Sequence, residues 1–310
     1  MPFPPPNPEI FSIDLLFGIT LTLRWYGVLA AVGILVGTLL ADREIGRRGG
    51  RTEVLWDSLL WIVPAGVVGA RLWYVLNDIL GGNTYFTEDA VRIFQIQQGG
   101  LHIYGAILGG LIAAIWYLRR ERFDIWLFLD AMAPALLIGQ AIGRIANWIN
   151  QELYGPPTDL SWGVPIEAQH RIAPWNDLSL YPVDTTRFHP TYFYEAIWNV
   201  IGAGLLLWLG RRFSDRLKPG VVFAGWLIWA GVGRFVLEWF RPDQPTIPGT
   251  AISYSRIVAG LLAVGGIVTI LVKYKKISLP FFPAGPDTYQ TSTQGDWRSR
   301  KRAKRENASS

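Results

Sequence analysis

The sequence predicts an all-α, polytopic membrane protein of about seven transmembrane helices, with its N-terminus outside and its C-terminus in the cytoplasm. Three observations carry this prediction. Charged residues make up 17% of the chain and apolar ones 50%, where a soluble domain would carry roughly 25% charge. Long apolar stretches recur from residue 18 to residue 272, and the basic residues between them concentrate in alternate connections.

Taken in order, the apolar stretches are 18–41, 54–76, 101–118, 125–149, 190–210, 220–240 and 251–272. The first is followed by Arg43, Arg47, Arg48 and Arg51, the third by Arg119, Arg120 and Arg122, and the fifth by Arg211, Arg212, Arg216 and Lys218. After the seventh come KYKK at 273–276 and RSRKRAKR at 298–305. The intervening connections hold only Arg92, then Arg171 and Arg187, then Arg241. Basic loops face the cytoplasm, so this alternation and the odd number of spans both place the N-terminus outside.

One membrane-embedded domain is expected over residues 1–278. Within it, residues 150–188 are rich in Pro, Trp and Asp, too polar to span, and are expected as an external loop or cap. Residues 279–310 combine Pro, Gly, Ser and charge and are expected to be a disordered basic cytoplasmic tail. The net charge of +5 and pI of 9.4 owe much to that tail. In a membrane protein such runs read as anchors against anionic lipid, with no nucleic-acid partner.

The chain has no cysteine, so it contains no disulfide, thiolate nucleophile or Cys-ligated metal. Any thiol in its chemistry comes from a partner. The opening MPFPPPNPEIFSIDLL lacks a basic n-region, so no cleavable signal peptide is expected. His102, His170 and His189 lie in three separate segments without ligand spacing, and neither metal nor cofactor is expected. His189, directly before Pro190, reads as a residue capping a helix start.

Ionisable groups inside the apolar stretches are the informative ones: Arg24, Arg71, Arg144, Glu195, Arg234, Glu238 and Arg256. Each costs a few kcal/mol in lipid unless it meets a partner or a wet cavity. Arg24, Arg144, Arg234 and Arg256 fall in the outer half of their spans, where they could converge on one pocket. A guanidinium donates paired hydrogen bonds to phosphate and stays charged, so such a pocket points to a phospholipid headgroup. The architectural alternative pairs these arginines with Glu195, Glu238, Asp57 and Asp130 to fix helix packing. Arg234 and Glu238, four residues apart, share a helix face and fit that alternative.

The segment GQAIGRIANWINQELYG, residues 139–155, resembles the signature of the prolipoprotein diacylglyceryl transferase family through Gly143, Arg144, Asn147, Asn150, Glu152 and Gly155. Further segments resemble that family in order: RWYG at 24–27, GARLWYVL at 69–76, GGLHIYGAILGG at 99–110, FHPTYFYE at 188–195, GRFVLEWFR at 233–241 and ISYSR at 252–256. The resemblance covers residues 15–275. It implies a multi-pass protein of the bacterial cell membrane that moves a diacylglyceryl group from phosphatidylglycerol to the lipobox cysteine of a prolipoprotein, leaving a thioether and releasing glycerol phosphate.

The resemblance assigns Arg144 and Arg234 to the phosphate, with Asn147, Tyr26, Glu152, Asn150, Gly155 and Glu238 around the headgroup. Many family members carry a histidine where this chain has Tyr104, with His102 two residues earlier. Tyr104 is expected to take the thiol proton, with His102 and Glu238 as alternatives. On a helix these two positions point to nearly opposite faces, so His102 cannot simply substitute for the missing histidine. Arg256 stands where many members have Gln. The competing readings are a phospholipid transporter or flippase, which should show broken helices in matching halves, and a catalytically degenerate lipid-binding scaffold. A retinal protein is excluded by the lack of a lysine within the seventh stretch before Lys273.

Overall fold

The computed structural model describes residues 5–14, 20–96, 99–241, 244–250 and 252–291. The basic run at 298–305 and the rest of the expected tail beyond residue 291 lie outside the described residues, as do residues 1–4, 15–19 and 251 of the segments above. The described chain is mostly helical: α1 Trp25–Arg47, α2 Thr52–Leu80, the single turn α3 Tyr85–Glu88, α4 Ile103–Arg120, α5 Ile125–Ile149, α6 Thr191–Arg212, α7 Val221–Leu237 and α8 Tyr254–Lys273. Six of these, α1, α2, α5, α6, α7 (continued to Phe240) and α8, are long and apolar enough to cross a membrane. Leu60 and Leu72 on α2 and Leu261 on α8 stay 73%, 57% and 65% exposed. Apolar surface left bare on such helices is what a lipid environment covers.

The expected stretch 101–118 forms α4 but is not among the six. That helix is only 18 residues long and carries Arg119 and Arg120 in its last turn, so both charges count against its apolarity. The start of the chain differs more. Residues 18–41 were expected as one helix, yet Glu9–Asp14 (β1) and Thr20–Arg24 (β2) pair as an antiparallel hairpin, and α1 begins at Trp25. Thr20 to Arg24 alternates polar and apolar residues at the period of a strand. Arg24 therefore sits outside the helix, paired with Glu9 at 3.0 Å and 64% exposed.

The chain divides into two units, Met1–Ala41 with Leu129–Thr288, and Asp42–Phe128 with Tyr289–Ser310. In the second unit α2 and α4 run antiparallel in backbone contact. A Cβ on Gly69 would strike the Gly105 carbonyl, and one on Gly109 would strike that of Ala65. Small residues permit this approach, which carries van der Waals attraction where no hydrophobic effect operates between helices. Arg71 is buried on α2 and donates to the main-chain carbonyls of Arg92, Ile93, Gln95, Gly99 and Gly100. It holds the segment between α3 and α4, an architectural role.

In the first unit α7 packs against both α6 and α8. Gly231 meets Ala259 and Ala263, while Gly266 meets Ala224 and Ile228. Between α6 and α7 the rings of Trp198 and Trp229 stack at 4.2 Å. Each indole N–H donates to the other residue's carbonyl, at 3.2 and 3.1 Å. Gly233 and Gly202 make room for these rings. Asp130 on α5 is fully buried and accepts from the amides of Gly220 and Phe223 at 2.6 and 2.7 Å. It satisfies open donors of the α7 start, where a carboxylate also meets the positive end of the helix dipole.

Residues 150–190 hold little regular structure but enclose a core of their own. Tyr154, Ile166, Trp175, Phe188 and Tyr192 are buried together. Arg171 lies beneath them, 5.0 Å from the Phe188 ring, and donates to the carbonyls of Ile166 and Tyr181.

Candidate active site

The end of α5 delivers the first part of the site. Arg144 and Asn147 are three residues apart and share a helix face. Arg144 Nη1 donates to Asn147 Oδ1 at 3.1 Å, and Asn147 Nδ2 passes the chain on to Glu152 Oε1 at 2.8 Å. Asn150 Nδ2 reaches the same Glu152 oxygen at 3.3 Å. Gln151 and Leu153 adopt positive φ, so the chain turns sharply as it leaves the helix. Gly155 then passes between neighbours. A Cβ there would lie 2.8 Å from Thr191 Cγ2, 2.9 Å from His189 Cβ and 3.0 Å from the Phe240 carbonyl.

α7 delivers the second part. Arg234 Nη2 pairs with Glu238 Oε2 at 3.1 Å. Its Nε donates to Ser255 Oγ at 2.8 Å, and Nη2 also reaches Gln244 Oε1 at 3.2 Å. Glu238 is buried, and its other oxygen accepts from Ser253 Oγ at 2.7 Å. Ser253 caps α8 through the Arg256 amide, so this carboxylate is fixed to two helices.

Glu195 on α6 joins the parts. It is 7% exposed. Its Oε2 contacts Arg144 Nη2 directly, while Oε1 stands 3.9 Å from Arg234 Nη1 and 3.9 Å from Arg241 Nη1. Three guanidiniums and two buried carboxylates, Glu195 and Glu238, thus share one cluster. Glu152, the third acid of the network, is exposed.

The structure brings Arg144, Asn147, Asn150, Glu152, Arg234 and Glu238 together, with Gly155 closing the turn beside them. Tyr26, in the first turn of α1, is 54% exposed and makes no hydrogen bond to this network among the described residues. Arg256 does not join the carboxylates. Its guanidinium lies 4.5 Å from the Trp239 ring and 5.8 Å from that of Phe235. Two members were not assigned to the site from the sequence. Arg241 was read as a loop residue, and it does lie just past the short 3-10 turn Glu238–Phe240 that follows α7, three residues after Glu238. Glu195 was seen as buried, but its place among three arginines is set by the packing of α5, α6 and α7.

Tyr104 and His102 belong to the other unit. His102 is the N-cap of α4, with Nδ1 accepting from the Tyr104 amide at 3.4 Å. Because it precedes the helix in extended conformation, the expected opposition of the two side chains does not occur. Their rings are 5.2 Å apart, each 6.4 Å from Trp73.

His189 does not cap α6, whose N-cap is Pro190 and has no side-chain bond. Its Nδ1 is 3.1 Å from the Tyr194 hydroxyl, which also accepts from the Trp162 indole at 2.8 Å. Burial holds the imidazole below its ordinary pKa, and the ring meets that of Phe240 at 5.3 Å. Among the described residues no group of three or more His, Cys, Asp or Glu side chains is placed to hold a metal ion.

Residues 14–272 match the family model described as prolipoprotein diacylglyceryl transferase. The chain belongs to this family. Relatives in it carry the name phosphatidylglycerol–prolipoprotein diacylglyceryl transferase. The one from Chloroflexus aggregans is 39% identical over 250 residues, covering 78% of this chain and 80% of its own. That from Leifsonia xyli subsp. xyli is 40% identical over 245 residues, 77% of this chain and 71% of its own. That from Corynebacterium efficiens is 41% identical over 235 residues, 73% and 70%. All the residues of the network around Glu195 fall inside the span that matches the prolipoprotein diacylglyceryl transferase model.

Proposed function

We propose that this chain transfers the diacylglyceryl group of phosphatidylglycerol to the thiol of a prolipoprotein lipobox cysteine. The observation that carries the reading is the network around Glu195 in a chain of this family: three guanidiniums packed about two buried carboxylates, whose paired donors are suited to a phosphodiester. The partner supplies the thiol, since this chain has no cysteine.

In the reaction the cysteine sulfur attacks the glyceryl carbon that bears the phosphate ester. The carbon–sulfur bond forms as the carbon–oxygen bond breaks, and glycerol phosphate leaves with the electron pair. Arg144 and Arg234 bind the phosphate and stabilise the charge that develops on it. Asn147, Asn150 and Glu152 orient the glycerol headgroup, with Tyr26 and Gly155 at its margin. Glu195 and Glu238 hold the arginines in place. The thiol proton passes to Tyr104, whose hydroxyl releases its own proton to water as it accepts, with His102 and Glu238 as the alternative acceptors, and the cationic field favours the thiolate.

The same reading places α4 in the membrane as a seventh span, with the N-terminus outside and residues 150–188 as a cap on the outer face of the bacterial cell membrane. Residues 1–278 form the working domain, and 279–310 a basic cytoplasmic tail. A transporter would move the intact lipid; a scaffold would bind and release it unchanged. The test uses phosphatidylglycerol labelled in the headgroup glycerol, in vesicles with purified protein and a lipobox peptide. Labelled glycerol phosphate should appear with the cysteine peptide and be absent with its Cys→Ser counterpart. Lipid bound without release in the presence of the cysteine peptide would overturn the enzyme reading.

A further inference from the structure

Outside the network around Glu195, the second unit carries a groove of about 550 Å³ along the last turns of α4, lined by Ile112, Ile115, Trp116, Arg119 and Arg120. Its composition changes sharply along the helix. Three apolar side chains are followed by two adjacent arginines, both exposed. The rise from Ile112 to Arg119 is about 10 Å, enough for the upper part of an acyl chain below a headgroup.

The two arginines are not neutralised by the acids near them. Glu121 lies 3.9 Å from Arg51, and its carbonyl accepts from Arg51 Nη2 at 2.7 Å. Asp57 is hydrogen-bonded to the Tyr117 side chain. Arg120 packs instead over the Trp116 ring at 5.5 Å, and Trp116 meets Trp61 of α2 edge-on at 5.0 Å. Paired tryptophans beside arginines are the composition of a membrane–water interface. An uncompensated double positive charge above an apolar trough complements a lipid phosphate over its own acyl chain.

We propose that this groove is a second lipid site, which holds an anionic phospholipid of the inner leaflet with its phosphate on Arg119 and Arg120 and an acyl chain along Ile112, Ile115 and Trp116. The proposal rests on the reading of α4 as a span with its C-terminal end in the cytoplasm. It is independent of the phosphate network on α5, α6 and α7.

The test is local. The photoreactive residue benzoylphenylalanine is introduced in place of Ile112, and in a second protein in place of Leu261 on the exposed face of α8. Both full-length proteins are irradiated in vesicles of phosphatidylcholine with a minor fraction of phosphatidylglycerol, and the attached lipids are identified by mass. Position 112 should capture phosphatidylglycerol enriched about fivefold or more over the vesicle composition, the factor that one arginine at an anionic surface supplies. Position 261 should report the bulk composition, and Arg119→Gln with Arg120→Gln should bring position 112 to the same value. Bulk composition at 112 in the otherwise unaltered protein would overturn the proposal alone. No lipid at 112 with normal capture at 261 would overturn it together with the reading of α4 as a span.

Discussion

Glu195 of α6 touches Arg144 of α5 with one carboxylate oxygen and faces Arg234 and Arg241 with the other, each at 3.9 Å. A single buried acid therefore sets the spacing of three guanidiniums. Glu195→Gln keeps the shape and removes the charge, leaving those cations to repel one another around Glu238 alone. Breaking a buried ion pair from one side costs roughly 3–5 kcal/mol. The variant should unfold in detergent at a lower temperature and lose most of its transfer activity. Unaltered stability would show that Glu195 does not hold the cluster.

Arg234→Lys separates charge from shape. A lysine keeps the positive charge but gives up the planar fork that reaches Ser255, Gln244 and Glu238 together. Transfer should fall by about 10-fold to 100-fold, with the unfolding temperature nearly unchanged. Steady-state rates across a range of phosphatidylglycerol fractions in mixed micelles test this.

Gly155→Ala asks for room that the fold does not give. The added carbon would lie within 3.0 Å of Thr191, His189 and the Phe240 carbonyl. The last of these is backbone and cannot rotate away. Overpacking of this kind costs about 1–3 kcal/mol. Because the turn carries Glu152 and Asn150 into the network, activity should drop more than stability does, a comparison open to paired assay and thermal unfolding.

His189 makes stability depend on pH in one direction. Burial lowers its pKa in the folded protein, so below the ordinary value near 6.5 the unfolded chain binds a proton that the folded chain refuses. Stability contributed by the neutral ring is full above that value and declines as the pH falls below it. Thermal unfolding at pH 7.5 and 5.5 should show a larger loss for the wild type than for His189→Asn.

Much of the helical framework was legible because apolar length is a strong signal, and the six apolar helices coincide with expected stretches. The hairpin before α1 was not, since the alternation from Thr20 to Arg24 is short and runs directly into an apolar helix. Arg24 was misplaced for a related reason. A charge within an apolar stretch looks buried in lipid, whereas Arg24 sits on a strand; Arg71 does lie buried within its expected stretch, where its partner is main chain rather than an acid. Within the network, the pairs Arg144 with Asn147 and Arg234 with Glu238 follow from helix spacing alone. The convergence of residues 144, 195, 234 and 241 does not, because it depends on how three helices cross. Residue spacing along one helix also could not reveal that His102 precedes α4 and lies beside Tyr104.

The most direct measurement of the central claim reconstitutes the purified protein in phosphatidylglycerol liposomes with a synthetic lipobox peptide and weighs the peptide by mass spectrometry, with Arg144→Ala alongside. The account predicts that the cysteine gains a diacylglyceryl group through a thioether in the wild type and stays unmodified with Arg144→Ala. An unmodified peptide in the presence of folded, lipid-binding wild type would contradict the transferase, and full modification by Arg144→Ala would contradict the assignment of the phosphate to that arginine.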